Sequence, residues 1–166
     1  KSVRCGIDIC KMQPKPRMVA RIRVLHQFHR VSPIWTRFLA AYNLLRERKI
    51  GFIGAGKAAN VIATALYDCG YTISSISSRK LSSATSISQH IPGCVPSFNI
   101  QDTAAEGDIV FVTTPDDAIP LVAKSILWKS QCIVIHCSGS KTLEVLNPAR
   151  TQGAQIRSLH PTQTFS

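Results

Sequence analysis

Residues 49–59 read KIGFIGAGKAA, a short apolar run that passes straight into Gly54-Ala55-Gly56-Lys57-Ala58-Ala59. A strand, a tight glycine turn and a helix start at this spacing form the opening unit of a dinucleotide-binding fold. Gly54 permits the sharp turn out of the strand. Gly56 has no side chain and lets backbone approach a pyrophosphate, while Ala59 at the third position is small enough for helix to pack on strand. The first helical turn offers N–H groups without intrahelical partners and the positive end of the helix dipole, so the backbone of Lys57, Ala58 and Ala59 is the candidate anion cradle. The flanks agree. Ile50, Phe52 and Ile53 precede the turn, Ala59, Ile62, Ala63 and Leu66 follow it at helical spacing, and Gly70 stands where a helix stop is expected. The competing reading is a glycine turn with only a structural job.

Outward from this unit, strands and helices alternate. Strands are expected at 71–77, around Cys94-Val95, at 109–113, at 131–136 and at 155–159. Helices are expected at 82–91, 116–127 and 141–146, the last closed by Asn147-Pro148, with a brief helix or turn at 103–106. The runs IVFVT (109–113) and QCIVIH (131–136) are continuously apolar, as in central parallel strands buried on both faces. The expected fold is therefore α/β: a doubly wound, mostly parallel, Rossmann-like sheet with right-handed crossovers.

The net charge of +11 over 166 residues is uneven. Residues 1–48 are rich in Arg and Lys and carry only Asp8 and Glu47 as acids, whereas 49–166 are close to balanced. Two parts are expected: a basic arm, 1–48, poorly ordered or partly helical at 35–48, and a nucleotide-binding domain, 49–166. The arm has three readings: an organelle-targeting leader, a polyanion-binding segment, or a disordered extension. The domain's charge gives no support to nucleic-acid binding. Cys5, Cys10, His26 and His29 lack the pair spacings of a zinc finger, and no metal is expected. The six cysteines are irregularly spaced, which fits a reducing, cytoplasmic setting. No stretch approaches about 18 uninterrupted apolar residues, so no membrane span is expected. The chain opens without Met and closes at Ser166 without a terminating element, and is expected to be a piece of a longer protein.

The end of the second strand selects the cofactor. An NAD site places an acid there for the ribose 2′-hydroxyl; an NADP site places Arg and hydroxyls for the 2′-phosphate. Here the stretch is Ser77-Ser78-Arg79-Lys80, with no acid between Asp68 and Asp102. Arg79 can grip a phosphate through paired N–H donors and Ser78 can add a hydroxyl, so NADP is expected. The alternative is a solvated basic turn.

Ligands of open parallel sheets sit at the carboxyl ends of the strands. Three segments end there: 113–117 (TTPDD), 136–140 (HCSGS) and 160–163 (HPTQ). Thr114 and Pro115 are expected beside the cofactor's ribose and nicotinamide, and Ser138 and Gly139 permit close approach near the nicotinamide. His160, with His136 second, is the candidate for proton handling, against the reading that His136 only hydrogen-bonds within its strand end. Cys137 adjoins His136, but neighbours on an extended chain point to opposite faces, which argues against a nucleophile pair.

Taken together, GFIGAGKAA, SSISSRK, DIVFVTTPDDAI, HCSGS and SLHPTQTF resemble the N-terminal half of a family that joins a Rossmann-like domain to a C-terminal helical domain of unknown function. That family is related to the pyrroline-5-carboxylate reductases and to coenzyme-F420-dependent NADP reductases. The resemblance covers about residues 49–166 and not the arm. Ala59 for the third glycine and Lys57 for a smaller residue are departures. The resemblance implies an NADP-dependent oxidoreductase acting on a small molecule, cytoplasmic and homodimeric through the helical half, with hydride passing between NADP(H) and a small carbonyl or imine. A non-catalytic NADP-binding regulatory module is the alternative. A methyltransferase is disfavoured because its cofactor ribose prefers an acid at the end of strand two.

Overall fold

The computed structural model describes residues 47–159. The basic arm up to residue 46, with Cys5, Cys10, His26 and His29, and the HPTQTF segment from His160 onward lie outside the described residues.

Six strands, β1 (Lys49–Ile53), β2 (Thr72–Ser77), β3 (Val95–Ser97), β4 (Ile109–Val112), β5 (Ile133–His136) and β6 (Gln155–Ser158), form one sheet in the order β3-β2-β1-β4-β5-β6. Every pairing is parallel. The helices are α1 (Lys57–Asp68), α2 (Leu81–Ser88), α3 (Ile100–Glu106), α4 (Ile119–Ser125) and α5 (Asn147–Arg150), with 3₁₀ turns at Asp116–Ala118 and Leu143–Leu146. This is a doubly wound sheet. Its strand order reverses between β1 and β4, which opens a crevice at their carboxyl ends.

Alternation along the strands feeds two cores. Val110, Val112 and Val134 face one layer with Ile119, Ala123, Leu146 and Ala149, while Ile50, Phe52, Ile73, Ile76 and Phe111 face the other with Ala59, Ala63 and Ala84. β4 thus supplies both layers, which is why its sequence is apolar throughout. Phe52 and Phe111 stack across β1 and β4 with ring centroids 4.9 Å apart. At the third motif position, Ala59 is fully buried.

Local chemistry explains the boundaries. α1 ends with Gly70 at φ 80°, Gly70 N donating to Tyr67 O and Tyr71 N to Leu66 O, the paired bonds of a glycine-terminated helix. The expected helix at 82–91 stops at Ser88, because His90 and Ile91 bond three residues back instead of four. The expected helix at 116–127 is two pieces: the 3₁₀ turn, then α4 with Pro120 in its first turn. The chain leaves α4 at the extended Ile126, and buried Trp128 folds back to donate its indole N–H to Ala123 O at 2.9 Å. Lys141 and Thr142 lie before the second 3₁₀ turn, and Asn147-Pro148 opens α5 where a closing signal was expected; proline suits a first turn because its missing N–H is not needed there. Among the described residues no helix is long and apolar enough to cross a membrane.

Candidate functional site

The site begins at the β1–α1 turn. Gly54 has φ 109°, and a Cβ on it would lie 2.8 Å from the carbonyl carbon and oxygen of Thr113 and 2.9 Å from Thr114 N. Glycine is therefore required twice, by backbone conformation and by the approach of the chain leaving β4. Gly54 N donates to Ser77 O at 2.8 Å. Thr113 N donates to Ile53 O at 2.8 Å, and Thr113 Oγ1 sits 2.9 Å from Gly54 O. The ends of β2, β1 and β4 are stitched together around this one turn.

Gly56 is different. Its backbone is extended (φ −93°, ψ −172°), and a Cβ on it would meet nothing within 4 Å. Packing does not demand glycine here; the free space lies toward solvent, where a ligand would approach. Gly56 caps α1 without a side-chain hydrogen bond, and no acid stands in the helix's first turn. The leading N–H groups are thus open to an anion, with Lys57 exposed beside them.

The end of β2 forms a basic hollow. Ser78, Arg79, Lys80 and Ser83 line an open cavity of about 400 Å³. Ser78 is fixed by its own N donating to Ser97 O at 3.0 Å and by its hydroxyl accepting from Lys80 N at 3.3 Å. Among the described residues no acid forms an ion pair with Arg79 or Lys80. Ser83 was not singled out in the sequence, although its place in the first turn of α2 puts it over the strand end.

Beyond β1, the loops after β4 and β5 are joined. Ser140 Oγ donates to Asp116 Oδ2 at 2.6 Å, and Lys141 Nζ lies 3.5 Å from Asp117 Oδ1. Ser138 Oγ accepts from Ser140 N at 3.2 Å and Lys141 N at 3.1 Å. The Ser140 hydroxyl, with the Ser138 hydroxyl and Lys141 adding to it, holds the Asp116 carboxyl below its ordinary range. Ser138 is buried and its hydroxyl organises the loop; Gly139 is exposed at the loop tip.

His136, at the end of β5, is fully buried. Its Nδ1 accepts from Ser138 N at 3.3 Å, which assigns the proton to Nε2. Among the described residues neither His136 Nε2 nor the buried Thr114 Oγ1 has a hydrogen-bond partner. Burial pushes the imidazole's pKa down, against a smaller opposing pull from Asp116. Ser138, His136 and Asp116 are thus neighbours, but not in the wiring of a hydrolase: the histidine accepts from a backbone amide, and the carboxylate is met by a serine hydroxyl. Cys137 packs against the other core layer, and burial pushes its thiol up to about 11, so it is no ready nucleophile. Among the described residues no cluster of His, Cys, Asp or Glu could hold a metal.

The fold therefore gathers Gly54, Gly56, Lys57, Ala58, Ala59, Thr114 and Pro115 at the crevice, sets Ser78 and Arg79 on its β2 side, and sets Ser138 and Gly139 on its β5 side. The contact between Asp116 and Ser140 was not legible in the sequence.

The family described as Rossmann-like domain matches residues 42–161. No curated protein matches the chain in sequence. Among solved structures, a Bacteroides fragilis protein assigned as an NADP oxidoreductase is 24% identical, with TM-score 0.62 over 74% of this chain and 46% of its own. A pyrroline-5-carboxylate reductase from Coxiella burnetii is 21% identical, with TM-score 0.58 over 67% and 43%. An imine reductase from Aspergillus terreus, in complex with NADPH4 and dibenz[c,e]azepine, is 14% identical, with TM-score 0.62 over 71% and 42%. At these identities the likeness is one of fold, and the chain spans less than half the length of each.

Proposed function

The chain belongs to the Rossmann-like domain family, and on that premise we propose that it is the NADP-binding part of an oxidoreductase that passes hydride between NADP(H) and a small carbonyl or imine. The observation that carries the proposal is the acid-free hollow of Ser78, Arg79, Lys80 and Ser83 at the end of β2. A carboxylate there would repel a 2′-phosphate and accept from a 2′-hydroxyl; two cations and two hydroxyls favour the phosphate. The solved structures of similar fold, which include one assigned as an NADP oxidoreductase and an imine reductase in complex with NADPH4, support the same reading.

The groups present fit this cofactor. Gly56 leaves open the space a Cβ would fill, the uncapped start of α1 offers its N–H groups to the pyrophosphate, and Arg79 with Ser78 and Ser83 would hold the 2′-phosphate. Bound NADP(H) would supply the hydride chemistry. The chain's own residues bind and orient: Thr114 and Pro115 flank the ring side from β4, and Gly139 offers backbone from the β5 loop. His136 holds the loop through Nδ1 and is sealed from solvent, so proton handling falls to His160 or to residues beyond those described. Homodimer formation and a cytoplasmic setting belong to the same proposal.

The sealing of His136 also favours a second reading, a regulatory module that binds NADP without turning substrate over. A screen of NADPH oxidation by the full-length protein with small carbonyls and imines separates the two. The first test is calorimetry with NADPH, NADH and S-adenosylmethionine. NADPH is expected to bind most tightly, and Arg79→Ala to weaken it about 10- to 100-fold while leaving NADH unchanged, since one or two charged hydrogen bonds are lost. Equal affinity for NADPH and NADH, or an indifferent Arg79→Ala, refutes the assignment.

A further inference from the structure

We propose that Asp116 is a positioning residue that fixes the spacing between the two loops on the nicotinamide side of the crevice. The proposal rests on the NADP reading above. Asp116 opens the 3₁₀ turn after β4, and Ser140 lies four residues past the end of β5. The Ser140 hydroxyl has one proton, and its 2.6 Å contact to Asp116 Oδ2 uses it. The Ser138 and Ser140 hydroxyls lie 3.4 Å apart.

The backbone from Ser138 to Lys141 is wound about the Ser138 oxygen, which takes the N–H of Ser140 and of Lys141, while Ser138 N is held by His136 Nδ1. The loop is therefore a preformed unit, and Asp116–Ser140 is its shortest tie to the neighbouring strand end. The second tie, Lys141 to Asp117, ends on a fully exposed carboxylate and adds little in water. Loss of the Asp116 contact frees the β5 loop to move away from Thr114 and Pro115.

The strand order makes this testable. Arg79 and its hollow stand beyond β1 on the β2 side, whereas Asp116 and Ser140 stand on the β4–β5 side. A defect at Asp116 falls on the nicotinamide half of the ligand and spares the adenosine half. Adenosine 2′,5′-bisphosphate carries the 2′-phosphate but no nicotinamide, so its affinity reports both the hollow and the integrity of the fold.

Calorimetry on the full chain compares NADPH with adenosine 2′,5′-bisphosphate for the wild type, Asp116→Ala, Asp116→Asn, Ser140→Ala and the double alanine variant. Each single alanine is expected to weaken NADPH about five- to tenfold and to change the bisphosphate by less than about twofold. The double variant is expected to match the singles, because both remove one link. Asp116→Asn, which keeps an acceptor for Ser140, is expected to recover most of the loss. NADPH affinity unchanged by Asp116→Ala, equal weakening of both ligands, additive alanine effects, or no recovery by Asn overturns the inference. A wild-type chain that binds neither nucleotide overturns the NADP reading and this inference with it. A wild type that binds both, with a ratio indifferent to Asp116, overturns the inference alone.

Discussion

Two glycines in one turn are expected to fail in opposite ways when each gains a methyl group. At Gly54 the backbone is left-handed (φ 109°), and the new Cβ would lie 2.8 Å from the carbonyl of Thr113, a residue tied down by its N–H to Ile53 O and by its Oγ1 to Gly54 O. The conformation costs about 1–2 kcal/mol for a residue with a Cβ. Forcing the end of β4 away adds about 1–3 kcal/mol, as overpacking does. Gly54→Ala is thus expected to destabilise the fold by about 2–5 kcal/mol, or roughly 8–20 °C in Tm at about 4 °C per kcal/mol. At Gly56 the backbone suits any residue and a Cβ meets nothing within 4 Å. Alanine caps a helix less well than glycine by about 0.5–1 kcal/mol, and the stiffer unfolded chain offsets this by about 0.4–1 kcal/mol. Gly56→Ala is therefore expected to fold with nearly unchanged stability, while the methyl occupies the space a pyrophosphate needs and weakens NADPH at least about tenfold, 1.4 kcal/mol. Urea denaturation and calorimetry on both variants read the two effects separately. A Gly54→Ala protein as stable as wild type refutes the contact argument. A Gly56→Ala protein that binds NADPH normally refutes the placement of the anion.

Three further outcomes follow from buried groups. His136 is held neutral, so below its ordinary pKa of about 6.5 the unfolded chain binds more protons than the folded one, and stability is expected to fall as pH falls through that range and to be flat above it. His136→Asn, which can still accept from Ser138 N, is expected to lose this slope between pH 7.5 and 5.5 in urea titrations; an unaltered slope assigns it elsewhere. The Cys94 and Cys137 thiols, both pushed up to about 11 by burial, are expected to alkylate with iodoacetamide at pH 8 about 100-fold slower than in the urea-unfolded chain, read by mass spectrometry at each residue. Native labelling at the unfolded rate contradicts their burial. Trp128→Phe removes the bond to Ala123 O and is expected to cost about 1–2 kcal/mol. A thermal melt unchanged from wild type shows that the bond contributes nothing net.

The fold was legible where chemistry is local. Gly54, Gly56 and Ala59 lie within six residues, and the demands of strand, turn and helix start act on near neighbours. The double-sided burial of β4 shows as an unbroken apolar run, because each successive side chain enters a core. The basic end of β2 was legible for the same reason, since Ser78 and Arg79 adjoin the strand that carries them. Helix ends were less so: Ser125 ends α4 because Trp128 must fold back onto Ala123, and nothing in the sequence around residue 125 announces that contact. Ser138 reads as a residue with room for a ligand, but in the folded chain its hydroxyl is engaged by two amides of its own loop.

By itself, then, the sequence determined the strand–turn–helix unit, the alternation that makes a parallel sheet, and the positive sign of charge at the end of β2, because backbone geometry and adjacent side chains depend on spacing along the chain. Tertiary structure alone decided that Gly54 must yield to Thr113, 59 residues away, that Asp116 meets Ser140 across 24 residues, and that His136 is sealed with one tautomer. Those facts depend on which strands become neighbours, and strand order follows from burying two apolar layers at once, a property of the whole chain that no short stretch of it carries.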